Sequence, residues 1–224
     1  MKDLFSIKGK VALVTGGSRG IGEMIAAGFL ASGAKVYISS RKAEVCDATA
    51  ERLTNEYGGE CISLPSDLSN LAGINSLVTE LSNKESHLDI LINNAGVAWG
   101  APLDEYPENG WDKVMDTNVK GVFFLTQKLL PMLREGVKND PSRVVNIGSI
   151  VGVNGFNQLT GYASTKQALE GFTKSIAIEF ADKNIRANIV HPGFIKTSYY
   201  QKFKKNKKKI YQWTLSRIPM KKWG

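Results

Sequence analysis

The chain is poor in the residues that build cross-links and metal centres. Of its 224 residues only two are cysteine, Cys46 and Cys61, and two are histidine, His87 and His191. Two cysteines make no disulfide framework, so a reduced, cytoplasmic protein is the simpler expectation. Two isolated histidines, with no second His or Cys near either, argue against a metal site. No run of about 18 apolar residues occurs, so no membrane span is expected. The first ten residues lack an apolar stretch and carry Asp3, unlike a signal or transit peptide.

Acidic residues are missing from one region. Residues 201–224 hold nine Lys or Arg and no Asp or Glu, leaving 20 basic against 21 acidic groups in residues 1–200. The formal charge of +8 is thus a neutral body with a basic tail. Without a basic stripe on the body, nucleic acid is not expected as a partner. A hydrophobic content of 42% suffices for one substantial core and is thin for two domains. No repeat or linker is visible, so residues 1–224 read as a single domain.

Short β-branched runs alternate with helical stretches. Val11–Thr15, Ala34–Ser39, Cys61–Leu64, Leu88–Ile92, Arg143–Ile147 and Ile185–Val190 predict strands. Several are apolar throughout, as in a parallel sheet covered on both faces. Helical spacing marks segments near 20–32, 42–57, 70–85, 111–134 and 161–182. The alternation predicts an α/β fold, a Rossmann-type doubly wound parallel sheet with helices on both faces.

Thr15 closes the first run, and Gly16, Gly20 and Gly22 punctuate the turn into the first helix. Such glycines allow positive φ and close approach to a pyrophosphate, which the helix N-terminus attracts. A bare glycine pattern is weak, but this one ends a strand, opens a helix and begins the first βαβ unit. An acid at the end of the second strand would select NAD. Here Ser39-Ser40-Arg41-Lys42 stands there and Arg19 lies within the glycine loop, so two guanidinium forks can clamp a 2′-phosphate. The predicted cofactor is NADP(H).

Tyr162 and Lys166 share one helix face. A neighbouring ammonium favours the phenolate, which suits a proton donor to an alkoxide. Ser149 ends the preceding strand, where groups of open α/β sheets gather, and its hydroxyl can bond a substrate oxygen. Alone, Tyr-x-x-x-Lys is common; 13 residues after a strand-terminal serine, in a dinucleotide-binding setting, it points to catalysis.

Together, Thr15-Gly-x-x-x-Gly-x-Gly22, Asp67-Leu68, Asn93-Asn-Ala-Gly96, Asn118, Ser149, Tyr162-x-x-x-Lys166 and Pro192-Gly193 with Thr197 resemble the short-chain dehydrogenase/reductase family. The similarity is to NADP-preferring members near the 3-oxoacyl-(acyl-carrier-protein) reductases and runs over about residues 5–200. It implies Tyr162 as general acid in reduction and Lys166 as the group that lowers its pKa and holds the nicotinamide ribose. Ser149 would orient the carbonyl and Asn118 hold a water linking Lys166 to solvent. Gly16, Ser18, Arg19, Gly20, Ile21 and Gly22 would cradle the phosphates, with Ser40 and Arg41 at the 2′-position. Asp67 and Leu68 would flank the adenine, and Asn94, Ala95 and Gly96 line the adenosine side. Pro192, Gly193, Ile195 and Thr197 would contact the nicotinamide end. Structural roles for Asp67 as an N-cap, Asn93 as a sheet amide and Pro192-Gly193 as a turn give way in this company.

Members of the family usually continue for about thirty residues beyond this point, adding a helix and a seventh strand. The resemblance therefore implies a chain truncated at its C-terminus, with a subunit interface and pocket wall partly missing. A homo-dimer or tetramer is implied if that interface is intact. Residues 198–217 fall where the family places a substrate lid. The run Lys202–Ile210 invites an acidic carrier, a CoA moiety or anionic lipid, although a solvated helix face is the plainer reading. Tyr199, Tyr200, Phe203, Tyr211 and Trp213 suggest an apolar lid, and Trp99 and Phe156 pocket walls. The activity implied is NADPH-dependent reduction of a 3-oxoacyl thioester or another apolar ketone. The alternatives are an alcohol, polyol or steroid dehydrogenase, or a truncated dinucleotide binder without turnover.

Overall fold

A computed structural model describes residues 5–136, 140–197 and 200–224, without the side chains of 201–203. Its strands are β1 (Val11–Thr15), β2 (Lys35–Ser39), β3 (Cys61–Ser63), β4 (Ile90–Asn93), β5 (Ser142–Ile147) and β6 (Ile185–Val190). All pair in parallel, in the order β3-β2-β1-β4-β5-β6. The helices are α1 (Gly20–Ala31), α2 (Ala43–Tyr57), α3 (Leu71–Ser82), α4 (Glu108–Met115), α5 (Gly121–Glu135), α6 (Ile150–Asn154), α7 (Thr160–Glu179), α8 (Tyr200–Asn206) and α9 (Lys208–Arg217).

Both faces of the central strands are covered, which explains their unbroken apolar runs. Leu13 lies in register between Tyr37 and Leu91 and faces a cluster with Leu77, Leu125 and Leu129 from α3 and α5. Val14, Ile38 and Ile92 face the other way, onto Ala26 and Leu30 of α1 and Ala50 and Leu53 of α2. Each such side chain stabilises the fold by roughly 1.5–3 kcal/mol of burial. On β6, by contrast, Arg186, Asn188 and Val190 are exposed while Ile185 is buried. β6 is the outer strand of the described sheet, and its alternation follows from having one open face.

The predicted helix over 111–134 is two helices joined by a π turn at Asp116–Lys120. Asn118 explains the irregularity: its amide turns out of the helical path to bond the backbone of Val97 at both ends. A π turn of this kind is frequent at functional sites. The short α6 escapes periodicity because five residues cannot display it. The run at 202–210 is helical, broken at Lys207, and its described lysines are exposed.

The chain reverses direction across the sheet between β1 and β4. A crevice therefore opens beyond their C-terminal ends, where open α/β sheets take ligands.

Candidate active site

The turn after β1 is moulded by close backbone approach. Gly16 and Gly20 hold φ of 64° and 60°, a region that disfavours side chains. A Cβ on Gly22 would stand 2.3 Å from the carbonyl oxygen of Gly16. Thr15 Oγ1 donates to the Ile92 carbonyl and accepts from the backbone N–H groups of Asn94 and Ala95. Asn94 Nδ2 in turn donates to the carbonyls of Thr15 and Gly16, at 2.9 and 3.2 Å. The loops after β1 and β4 are thereby tied into one unit. Asn94 lines the crevice chiefly by holding the glycine turn.

The first turn of α1 carries no side-chain cap at Arg19, so its N-terminus faces the crevice without a protein acceptor from that position. Ser18 is buried and its carbonyl accepts from Thr49 Oγ1 at 3.1 Å. Ile21 is half-buried at the start of the helix. At the end of β2, the Ser40 hydroxyl is buried without a hydrogen-bond partner, next to the exposed Arg41. Arg19 is exposed too, and neither arginine has a carboxylate partner among the described residues. A glycine cradle, an uncapped helix start, an unpartnered hydroxyl and two uncommitted guanidinium groups fit a phosphorylated dinucleotide.

Asp67 accepts from the backbone N–H and hydroxyl of Ser69, at 3.0 and 2.9 Å, while Asn70 is the N-cap of α3. Asp67 thus forms an Asx turn, three residues before the cap. Leu68 puts its side chain into the core, leaving only its backbone to face a ligand. Asn93 is structural, a correction to the functional place its motif implies. It is buried, and donates to Thr126 Oγ1 and to Asn146 Oδ1 at 3.0 and 2.9 Å. Asn146 passes the chain to Thr173 Oγ1 at 2.8 Å, joining α5, β4, β5 and α7 beneath the crevice.

On that floor stand the four predicted catalytic side chains. Lys166 is 4% exposed, and its Nζ donates to the Ile147 carbonyl at 2.7 Å. The same Nζ lies 5.7 Å from the centre of the Tyr162 ring, one helical turn back along α7. Asn118, fully buried, accepts from Val97 N–H at 2.8 Å and donates to the Val97 carbonyl and Thr165 Oγ1. A Cβ on Gly96 would meet Asn118 Oδ1 at 3.4 Å and Lys166 Nζ at 3.5 Å, so both polar atoms converge at that glycine. Ser149 caps α6 by accepting from Val151 N–H. His191 Nδ1 contacts the Ser149 carbonyl at 3.2 Å, and Ile150 N–H donates to the Pro192 carbonyl. These contacts lock the serine turn to the strap after β6.

Burial pulls the Lys166 ammonium down to about 8. It also pushes the Tyr162 phenol up, with a hydrogen bond to Ser149 opposing. At Tyr162 desolvation outweighs the hydrogen bond to Ser149, because the ring is largely shut away from water. Burial thus favours the neutral form of each group.

A cavity of about 690 Å³ opens beside this floor. Ile150, Val151 and Phe156 from the segment after Ser149, and Gly193, Phe194 and Ile195 from the strap, form one wall. Trp213, Ile218, Met220 and Trp223 form the other. Phe156 stands against Trp213 with ring centres 5.3 Å apart, as expected for a pocket wall. Trp99 does not join it; its ring packs over Gly110 and under Lys113. Thr197 rests its methyl 3.5 Å from the Cβ position of Gly20, so the strap also touches the glycine turn. Tyr200 and Tyr211 bond through their hydroxyls at 3.0 Å and pack on Trp223. Ser198 and Tyr199 lie outside the described residues, as do the side chains of Lys202 and Phe203.

The short chain dehydrogenase family profile matches residues 10–208. The chain belongs to that family. A relative from Pseudomonas aeruginosa, the rhamnolipids biosynthesis 3-oxoacyl-(acyl-carrier-protein) reductase, is 43% identical over 226 residues, covering 100% of this short-chain dehydrogenase and 87% of the relative. The 3-oxoacyl-(acyl-carrier-protein) reductase of Aquifex aeolicus is 36% identical over 218 residues, 97% of this chain and 86% of its own. Among solved structures, the Pseudomonas aeruginosa RhlG/NADP active-site complex superposes with a TM-score of 0.93 at 42% identity, covering 100% of this chain and 87% of that one. This short-chain dehydrogenase is accordingly an oxidoreductase.

Residues that sequence reasoning passed over are Thr165, Asn146 and Thr173. Each acts through a partner distant in sequence, and no local pattern marks such a pair.

Proposed function

We propose that this short-chain dehydrogenase reduces an apolar ketone with NADPH, a 3-oxoacyl thioester being the first substrate to test. The observation that carries this reading is the largely apolar cavity of about 690 Å³ whose wall begins at the two residues after Ser149. A carbonyl held by the Ser149 hydroxyl has room there for a hydrocarbon body. The likeness to a reductase in complex with NADP, together with Arg19, Arg41 and the unpartnered Ser40 hydroxyl, supports NADPH as the reductant.

Bound NADPH supplies a hydride, two electrons and one proton, to the carbonyl carbon. The chain then has to stabilise and protonate the oxygen. Ser149 donates a hydrogen bond to it, and Tyr162 gives up its phenolic proton, turning alkoxide into alcohol. The phenolate left behind is stabilised by Lys166 as an ammonium and regains its proton from solvent. Lowered only to about 8, Lys166 keeps that charge at neutral pH. The Ile147 carbonyl fixes its aim. Asn118 holds the loop after β4 against α7 through Val97 and Thr165, keeping Gly96 open beside the ammonium.

The test is NADPH oxidation with acetoacetyl thioesters, set against ketosugars and ketosteroids. Thioester turnover that falls about 10²–10⁴-fold in Tyr162→Phe, with NADPH affinity kept, supports the reading. Turnover of ketosugars or steroids alone would replace it with a polyol or steroid dehydrogenase.

A further inference from the structure

The cavity wall furnished by residues 213–224 is not purely apolar. Arg217 and Lys222 both line it, both are exposed, and among the described residues no Asp or Glu lines it. The guanidinium of Arg217 lies 5.4 Å over the Trp213 ring, whose edge meets Phe156. Stacking of this kind holds Arg in place without using its N–H donors. The tail is brought back to the strap by a turn at Lys221, whose φ of 54° is left-handed. Gly224 N–H donates to the Phe194 carbonyl, and the Gly224 carbonyl accepts from Lys196 N–H. Trp223, buried against Phe194, Tyr200 and Tyr211, anchors Lys222 beside the cavity. From Lys183 to Gly224 the chain has twelve Lys or Arg and no Asp or Glu, so these elements offer the two cations no counter-charge of their own. Two unneutralised cations fixed at an apolar pocket are adapted to an anionic end on an otherwise apolar ligand.

We infer that Arg217 and Lys222 form an oxyanion subsite, which grips a phosphate or carboxylate carried by the substrate and so selects anionic ketones over neutral ones. This rests on the cavity being the substrate pocket. The reacting carbonyl lies at the Ser149 wall and the anion at the opposite wall, with the hydrocarbon between.

Two twin pairs test it. Acetoacetyl-phosphopantetheine against acetoacetyl-pantetheine reads phosphate; 7-oxooctanoate against its methyl ester reads carboxylate. Binding to the full chain is followed by tryptophan fluorescence, and KM is measured beside it. At least one anionic twin is expected to bind about tenfold tighter than its neutral partner. Arg217→Gln with Lys222→Gln should erase that advantage while leaving the neutral twins and NADPH within about twofold, and Arg217→Lys should keep most of it. Equal binding of the twins by the native chain, or equal weakening of both twins in the double variant, overturns the subsite. Selective binding without turnover of any ketone would instead overturn the proposed reduction and leave the subsite standing.

Discussion

The Lys166 ammonium and the Ile147 carbonyl oxygen lie 2.7 Å apart, joining α7 to the end of β5. That bond keeps a lysine that is only 4% exposed pointed at the crevice. A drop from the ordinary 10.5 to about 8 corresponds to roughly 3 kcal/mol of native-state cost when lysine is charged. The unfolded chain binds the proton more readily than the native one between these values, so stability rises with pH from about 8 toward 10.5.

Lys166→Met should therefore be more stable than the native chain at pH 7, by about 1–3 kcal/mol in urea unfolding, with the gain shrinking as pH rises through 8–10. Turnover should fall by about 10²-fold or more. Equal stability at pH 7 would show that the Ile147 bond offsets the burial cost.

Gly22→Ala should empty the cofactor site. Its Cβ would lie 2.3 Å from the Gly16 carbonyl, forcing the turn apart. The expected result is a loss of about 1–3 kcal/mol in stability and at least tenfold in NADPH affinity, by thermal shift and fluorescence titration.

Arg41→Ala, alone and with Arg19→Ala, should weaken NADPH about 10–100-fold while leaving NADH nearly unchanged. Both arginines are exposed, so the fold should not suffer. Parallel losses for both nucleotides would place the 2′-phosphate elsewhere.

Asn146→Ala should cost about 2–4 kcal/mol, since it takes one of two acceptors from the buried amide of Asn93 and removes the donor to Thr173. Denaturant unfolding reads it directly. NADPH binding by the folded fraction should persist, because neither amide reaches the crevice.

How far the residues speak for themselves varies along the chain. β1 and β6 run where their apolar patterns begin and end, at Val11–Thr15 and Ile185–Val190. The glycine turn is legible because its chemistry is local: positive φ and a helix start need particular residues in a particular order. Tyr162 and Lys166 are legible because helix geometry alone puts them on one face. Asn93 misleads, as its neighbours in the chain say nothing about Thr126 and Asn146, which claim its amide. Trp99 misleads likewise, an aromatic beside the motif whose ring is taken by Gly110 and Lys113.

Legible in the linear chain are the alternation of strand and helix, the glycine turn, and the candidate set of Arg19, Arg41, Ser149, Tyr162 and Lys166. Each depends on spacing within a few residues or on chemical type, and both survive in a linear text. The closed fold alone shows that Asn118 bends its helix toward Val97, that burial pushes on the Tyr162 phenol, and that Arg217 and Lys222 meet residues 150–156 across one cavity. Those outcomes depend on desolvation and on contacts between segments tens of residues apart, quantities that exist only once the chain has closed on itself.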